Sequence, residues 1–219
     1  MMSVVSRDLF ATRDSDERVE LGAGAVLLRG FALPYEAEIA AALRAVEESA
    51  PFRHMVTPGG FTMSVAMTSC GALGWVSTAR GYEYSPTDPD SGRPWPAMPA
   101  VLARLAHDAA AAGGFAGFAP DACLVNRYDA GARLTLHQDK DERDFAQPIV
   151  SVSLGVPATF LFGGLTRKER PMRLPVQHGD VVVFGGAARL RYHGVAPVAE
   201  SHHAFAGGRR ISLTLRGAG

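Results

Sequence analysis

Eight short apolar segments, separated by turn residues, follow one another after Gly117. They predict strands over residues 122–128, 134–137, 149–156, 158–162, 172–176, 180–184, 190–195 and 210–215. Strands of this length and spacing are typical of a β-sandwich or a barrel. We therefore predict a mainly β (α+β) fold, a double-stranded β-helix or jelly-roll barrel over residues 118–216. The mouth of such a barrel brings together side chains that are distant in the sequence.

The preceding half of the chain is predicted to add helices and a lid to this barrel, within a single domain over residues 1–219. Residues 24–31 predict a buried strand, and residues 34–49 and 99–112 predict N-terminal helices with one apolar face. Residues 51–96 are rich in Gly, Pro, Ser and Thr, with isolated aromatic residues. A long irregular segment of this kind in a compact domain is usually functional, so we interpret it as a lid.

Composition argues against a membrane or secreted protein. No apolar run approaches the roughly 20 residues that a membrane-spanning helix needs. Residues 1–20 are polar and lack the apolar stretch of a secretory signal. We therefore expect a cytoplasmic monomer that binds no membrane. The only two cysteines, Cys70 and Cys123, are predicted to be packing residues and not a disulfide or a zinc site.

Charge is unevenly distributed along the chain, although its formal net charge is zero. Residues 160–219 contain nine Lys and Arg residues against three acidic residues. Four of the nine form a cluster, Arg167, Lys168, Arg170 and Arg173. Such a cluster is a candidate phosphate-facing edge, but a solvated loop would look the same.

Three side chains have the spacing of a metal site. On a strand, residues two apart share a face, so His137 and Asp139 can bind one ion. His193 follows in the strand-like segment LRYHGV. Two histidines and one carboxylate form the facial triad of non-haem iron(II) oxygenases, which leaves metal positions open for substrates. A zinc hydrolase would use ligands of the same types.

The last predicted strand carries two arginines on one face. Arg210, Ser212, Thr214 and Arg216 alternate with apolar residues, so they share one side of the strand. Buried arginines are costly unless they meet anions, and a planar guanidinium can grip the carboxylates of 2-oxoglutarate. A zinc hydrolase has no evident use for this pair. The alternative is an edge strand with one solvated face.

Motifs beyond these residues are shared with one family of dioxygenases. They are NRY (126–128), HQDKDE (137–142), SVSLG (151–155), FGGL (162–165), HGDVVVFGG (178–186), YHG (192–194) and the terminal R-x-S-x-x-x-R (210–216). The segment PFRHMVTPGGFTMSVAMTSCGALGW (51–75) is similar to the lid of the bacterial founding member. Across nearly its whole length, the chain resembles the AlkB family of nucleic-acid repair dioxygenases.

The resemblance implies three groups of site residues. Iron(II) would be bound by the catalytic residues His137, Asp139 and His193. The cosubstrate 2-oxoglutarate would be held by Asn126, Tyr128, Arg210, Ser212 and Arg216. The alkylated nucleotide would be contacted by Trp75, Tyr82, Asp141, Glu142, Arg167, Thr57 and Tyr84. The bacterial founding member has Asn at the position of Ser212 and Trp at that of Phe184, and we expect Ser212 to make a weaker contact.

The resemblance also implies a reaction. O₂ and 2-oxoglutarate would be consumed, succinate would form, and an N-methyl group of 1-methyladenine or 3-methylcytosine would leave as formaldehyde. The damaged base, in single- or double-stranded DNA or in RNA, would be extruded into an aromatic site formed around Trp75. Asp141 would favour the cationic methylated bases. Two alternatives stay open: a dioxygenase for tRNA or another substrate, and a non-catalytic nucleic-acid-binding module.

Overall fold

Two antiparallel sheets that face each other form the centre of the structure, a computed structural model that describes residues 17–219. Residues 1–16 of the polar N-terminal segment lie outside the described residues. Over residues 17–219, the major sheet has eight strands. Their order is β1 (Arg18–Gly22), β2 (Ala25–Leu28), β12 (Val181–Phe184), β9 (Ile149–Gly155), β14 (Arg210–Arg216), β7 (Ala122–Tyr128), β4 (Thr62–Gly71) and β3 (Arg53–Val56). The minor sheet has four, in the order β11 (Met172–Val176), β10 (Ala158–Phe162), β13 (His193–Val195) and β8 (Leu134–His137). This architecture confirms the predicted jelly roll.

The major sheet separates two hydrophobic cores. In β12, Val181 and Val183 pack in the core shared with helices α1 (Glu36–Ser49) and α2 (Ala100–Ala112). Val182 and Phe184 pack in the core between the two sheets. Successive side chains of a strand point to opposite faces, so a strand buried on both faces reads as a continuous apolar run. The predicted site residues lie at the rim of the inter-sheet core.

The helical layer covers the outer face of the major sheet. A 3₁₀ turn, Leu33–Tyr35, precedes α1, so the α-helix begins two residues after the predicted start at residue 34. The Tyr35 hydroxyl donates to Asp108 Oδ2 on α2 at 2.7 Å. Over residues 17–219, neither α-helix has the length and apolar character that crossing a membrane requires.

The segment 51–96 is more regular than its composition predicts. It contains β3 and β4, which extend the major sheet, and a separate hairpin of β5 (Gly74–Thr78) and β6 (Gly81–Ser85). The expectation of an irregular segment was wrong, because β4 becomes a strand by pairing with β7 from Ala66 to Gly71. Strand formation of this kind depends on the neighbouring strand more than on local propensity. The use of the segment as a lid stays a prediction.

All eight strands predicted after Gly117 are present, with small shifts at their ends. The strand predicted over residues 180–184 begins at Val181, and that over 190–195 begins at His193. The strand predicted over residues 24–31 covers only Ala25–Leu28. It stops there because Gly30 turns the chain with φ of 62°, a conformation that favours glycine.

Candidate active site at the mouth of the barrel

The two predicted metal-binding histidines are direct cross-strand partners. His193 of β13 lies opposite His137 of β8, and their ring centroids are 4.4 Å apart. Gly194 makes this approach possible, because a Cβ atom there would lie 2.5 Å from the Leu134 carbonyl oxygen. The ligand atoms of His137, Asp139 and His193 all lie within 4.8 Å of one another.

Backbone carbonyls orient both rings toward Asp139. Nδ1 of His137 lies 2.8 Å from the Thr135 carbonyl oxygen, and Nδ1 of His193 lies 3.1 Å from that of Arg191. With Nδ1–H donating to these carbonyls, each Nε2 keeps a free lone pair for a metal ion. Each Nε2 lies 3.6 Å from an oxygen of the Asp139 carboxylate. The donor set is that of a two-histidine, one-carboxylate iron site.

The protonation states of the triad suit metal binding. Burial and the neighbouring His193 lower the pKa of His137 to about 4, so its ring is neutral at pH 7. Burial acts to raise the pKa of Asp139, but the Arg216 guanidinium outweighs it and holds that pKa well below its usual range. A neutral imidazole and an ionised carboxylate are the forms that bind a metal ion.

Strand β14 is central, not an edge strand, and its polar face points into the inter-sheet space. It pairs with β7 on one side and with β9 on the other, and all seven of its residues are buried. The register places Ser212 opposite Asn126 and Arg210 opposite Tyr128. Residues that oppose each other share a face, so the sheet brings the predicted cosubstrate residues together.

Arg210 is the buried cation that fits an anionic cosubstrate. Its side chain is 1% exposed, and its guanidinium lies 4.8 Å from the centre of the Tyr128 ring. Nη2 donates to Ser153 Oγ at 3.0 Å, whereas Nε and Nη1 have no hydrogen-bond partner among residues 17–219. Unpaired donors on a buried guanidinium are costly, so this position fits a carboxylate of 2-oxoglutarate.

A cavity of about 920 Å³ joins the triad to the β5–β6 hairpin. Twelve of the predicted site residues line it: Thr57, Trp75, Tyr82, Asn126, Tyr128, His137, Asp139, Asp141, Arg167, His193, Ser212 and Arg216. On the hairpin side, Trp75 stacks on Tyr82 with ring centroids 5.0 Å apart and donates from Nε1 to Asp141 Oδ2 at 2.9 Å. An aromatic face and a carboxylate therefore share one cavity with the metal ligands.

Three predicted site residues are not among those that line the cavity: the cosubstrate residue Arg210 and the nucleotide contacts Tyr84 and Glu142. Tyr84 and Glu142 hydrogen-bond to each other, and both contact Arg216. Glu142 is 6% exposed and also forms an ion pair with Arg189 at 3.1 Å. These two side chains therefore support Arg216 instead of facing the cavity. The family resemblance predicted which residue types stand at these two positions, but it could not predict where their side chains point.

Two further residues support the site, and of these only Arg189 was not singled out from the sequence. Arg189 donates from Nη1 to the Asp139 carbonyl oxygen at 2.8 Å. It follows the 3₁₀ turn Gly186–Ala188, which directs it inward, and no local pattern in the sequence marks it. Phe184, which stands in place of the family's Trp, packs against His193 with centroids 5.0 Å apart. A Phe ring thus preserves the aromatic wall behind this ligand.

Comparisons with known proteins agree with this geometry. The model of the 2OG-Fe(II) oxygenase superfamily matches residues 24–216. The chain is 53% identical to the alpha-ketoglutarate-dependent dioxygenase AlkB of Escherichia coli (strain K12), over 97% of this chain and 98% of that protein. It is 35% identical to the DNA N(6)-methyladenine demethylase ALKBH1A of Arabidopsis thaliana, over 56% of this chain and 36% of that protein. The solved structure of OsALKBH1 has a TM-score of 0.80 and 28% identity, covering 91% of this chain and 99% of that one.

The superfamily model and the Escherichia coli relative match the chain over the whole jelly roll and the triad at its mouth. Sequence, fold and donor set therefore lead to the same conclusion. The chain belongs to the 2OG-Fe(II) oxygenase superfamily, as a member of its AlkB family and an enzyme that uses Fe(II), 2-oxoglutarate and O₂.

Proposed function

We propose that this dioxygenase repairs DNA by oxidative demethylation of alkylated bases such as 1-methyladenine and 3-methylcytosine, with RNA as a second substrate class. The proposal is carried by one observation: Trp75, Tyr82 and Asp141 line the same cavity as the metal ligands. The similarity to the DNA N(6)-methyladenine demethylase of Arabidopsis thaliana supports a nucleic-acid substrate. We further propose that residues 51–96 act as the nucleotide-recognition lid of a single catalytic domain.

The base would be held by an aromatic ring and a carboxylate. Trp75 is half-buried and presents an aromatic ring to the cavity, and base–aromatic stacking is tolerant of base identity. Methylation at adenine N1 or cytosine N3 makes the base cationic, so the Asp141 carboxylate would favour it over an undamaged base. Thr57 also lines the cavity, and we propose that it contacts the nucleotide.

The phosphates would be met by the loop that follows β10. Arg167 is exposed and lines the cavity, and Lys168, Arg170 and Arg173 are exposed beside it. The one acid within this loop, Glu169, accepts hydrogen bonds from the backbone N–H and the hydroxyl of Thr166. An exposed cationic edge beside the cavity supports a polyanionic substrate over a small neutral metabolite.

The residues of this chain would divide the reaction between them. Bound Fe(II), 2-oxoglutarate and O₂ supply the oxidation of the N-methyl group, after which the base loses formaldehyde. The triad would hold the metal ion, Arg210 would hold one carboxylate of 2-oxoglutarate, and Asn126, Tyr128 and Ser212 would line its site. The closely packed inter-sheet core would exclude water from behind the metal ion.

Incubation with modified oligonucleotides tests the proposal. The protein, with Fe(II), ascorbate and 2-oxoglutarate, should restore adenine and cytosine from 1-methyladenine and 3-methylcytosine. Mass spectrometry would follow base reversion, and succinate would be measured in the same samples. Single-stranded DNA, duplex DNA and RNA would be compared at equal concentration. Succinate formation without reversion of any of these bases would refute a repair function.

Replacing Arg210 with Lys should raise the Michaelis constant for 2-oxoglutarate roughly tenfold, while the Michaelis constant for the oligonucleotide stays the same. Lys keeps the charge, but it loses the planar pair of donors and with it about one charge-assisted hydrogen bond. Succinate would be measured against 2-oxoglutarate concentration. Arg104→Lys, on the exposed Arg104–Glu38 pair of the helical layer, is the matched control. An unchanged constant in Arg210→Lys would place the cosubstrate elsewhere.

A further inference from the structure

The β5–β6 hairpin is connected to the metal site by a chain of hydrogen bonds that are part-buried at Tyr84 and buried at Asp139. Tyr84 of β6 donates from its hydroxyl to Glu142 Oε1 at 2.8 Å and accepts from Arg216 Nη1 at 3.2 Å. Arg216 in turn donates to Asp139 Oδ2, from Nε at 2.9 Å and from Nη2 at 2.5 Å. A side chain of the proposed lid is therefore two hydrogen bonds from a metal ligand.

The register of the hairpin gives it two separate attachments. Trp75 and Tyr84 are direct cross-strand partners, so both side chains point to the same face of the hairpin. Their acceptors, Asp141 and Glu142, are consecutive residues of the loop that follows Asp139. Asp141 lines the cavity, whereas Glu142 is buried beneath it. Of these two attachments, the one through Tyr84 leads to Arg216 and from there to the Asp139 carboxylate.

The buried network makes the Tyr84 hydroxyl hard to replace. Arg216 is 5% exposed and Glu142 is 6% exposed, so water has little access to either. The cations Arg189 and Arg216 balance the carboxylates of Asp139 and Glu142. Without the Tyr84 hydroxyl, Arg216 Nη1 would lose the acceptor that directs it toward the hairpin. Hydrogen bonds in such a low-dielectric network depend on one another, so a loss at Tyr84 would extend to the grip on Asp139.

We propose that Tyr84 is a positioning residue, which couples the closed hairpin to the orientation of Asp139 through Arg216. Coupling between two sites is reciprocal, so metal binding and hairpin closure would favour each other by the same factor. This role replaces the nucleotide contact that the sequence predicts for Tyr84. It holds for any substrate of the cavity, so it does not depend on the repair function proposed above.

The proposal predicts that Tyr84→Phe weakens metal binding without removing a metal ligand. We expect the dissociation constant for Mn²⁺ to rise by roughly fivefold or more, since coupling energies between sites typically correspond to factors of this size. In the parent protein, Mn²⁺ alone should slow hydrogen exchange of the hairpin amides over residues 74–85. In Tyr84→Phe that protection should largely disappear. Both readouts are independent of turnover.

Two control variants distinguish a specific effect of Tyr84 on the position of Asp139 from a general loosening of the hairpin. Tyr35→Phe removes a hydroxyl–carboxylate hydrogen bond of the same kind, to Asp108 in the helical layer, and should bind Mn²⁺ like the parent. Trp75→Phe removes the other hairpin attachment but keeps the Tyr84 hydroxyl, so it should speed hairpin exchange, Mn²⁺ should still slow that exchange, and the Mn²⁺ dissociation constant should rise by less than in Tyr84→Phe.

Three results would overturn the proposal. The first is parental Mn²⁺ affinity in Tyr84→Phe. The second is an equal loss of affinity in Trp75→Phe, which would mean that any loosening of the hairpin is sufficient. The third needs no variant: Mn²⁺ that leaves hairpin exchange unchanged in the parent protein would show that the metal site and the hairpin are not coupled.

Discussion

Replacing His137 with Ala should abolish succinate formation and iron binding while leaving the protein folded. Its imidazole supplies one of three converging ligand atoms, and its side chain is 34% exposed at the mouth of the barrel. Removing it therefore takes little apolar surface out of the inter-sheet core. Iron content, succinate production and thermal unfolding would be measured on the same preparation.

Asp139→Ala provides the informative comparison for His137→Ala. It should also abolish turnover, but it additionally removes the carboxylate to which Arg216 donates twice. Breaking a buried ion pair leaves an uncompensated charge, which costs about 3–5 kcal/mol when no other partner remains. Arg216 keeps Glu142 and Tyr84 as partners, so we expect Asp139→Ala to lower the free energy of unfolding by less than this, about 2 kcal/mol. Parental turnover in either variant would remove that residue from the triad.

Replacing Trp75 with Ala should weaken binding of a damaged oligonucleotide by roughly 1–3 kcal/mol, the usual contribution of base–aromatic stacking, and should lower its repair accordingly. The ring lines the cavity, stacks on Tyr82 and donates to Asp141. Succinate formation without nucleic acid should persist, because the hydrogen-bond and stacking partners of Trp75, which are Asp141 and Tyr82, are not metal ligands. Repair of 3-methylcytosine in single-stranded DNA and succinate formation without substrate would be measured side by side.

Two further variants resolve what the Trp75 side chain contributes. Trp75→Phe keeps an aromatic face and should recover most of the lost repair, although it cannot donate to Asp141. Asp141→Asn keeps the shape of the side chain and removes its charge, so it should lower the preference for cationic methylated bases over neutral ones. If Trp75→Ala repaired DNA as well as the parent, the hairpin would not be a base-recognition element.

Features that repeat along one strand could be predicted from the sequence. The alternation in residues 210–216 correctly predicted which side chains share a face, because a strand has a period of two residues. His137 and Asp139 were predicted to bind one metal ion for the same reason; β8 ends at His137, so Asp139 reaches the site from the following loop, and β13 brings His193 to them. The eight strands after Gly117 were predicted because each is a short apolar segment between turn residues.

Features that depend on which strands pair, or on which side chains from distant segments contact each other, could not be predicted in this way. Residues 51–96 contain no clear alternation, and β4 exists because β7 offers it a neighbouring strand. Tyr84 and Glu142 have the residue types of nucleotide contacts, yet each is turned toward Arg216. Arg189 enters the network because a 3₁₀ turn directs it inward.

The sequence by itself determined the jelly-roll strands, the ligand types of the metal site and the polar face of β14. These follow from side-chain chemistry and from a period of two along a single strand. Only the tertiary structure decided that β14 is a central strand, that His137 lies opposite His193, and that Tyr84 reaches Arg216. Each of these depends on contacts between segments that are far apart in the chain. A local sequence pattern does not specify which distant segment will pack or pair with it, because several partners are compatible with the same pattern.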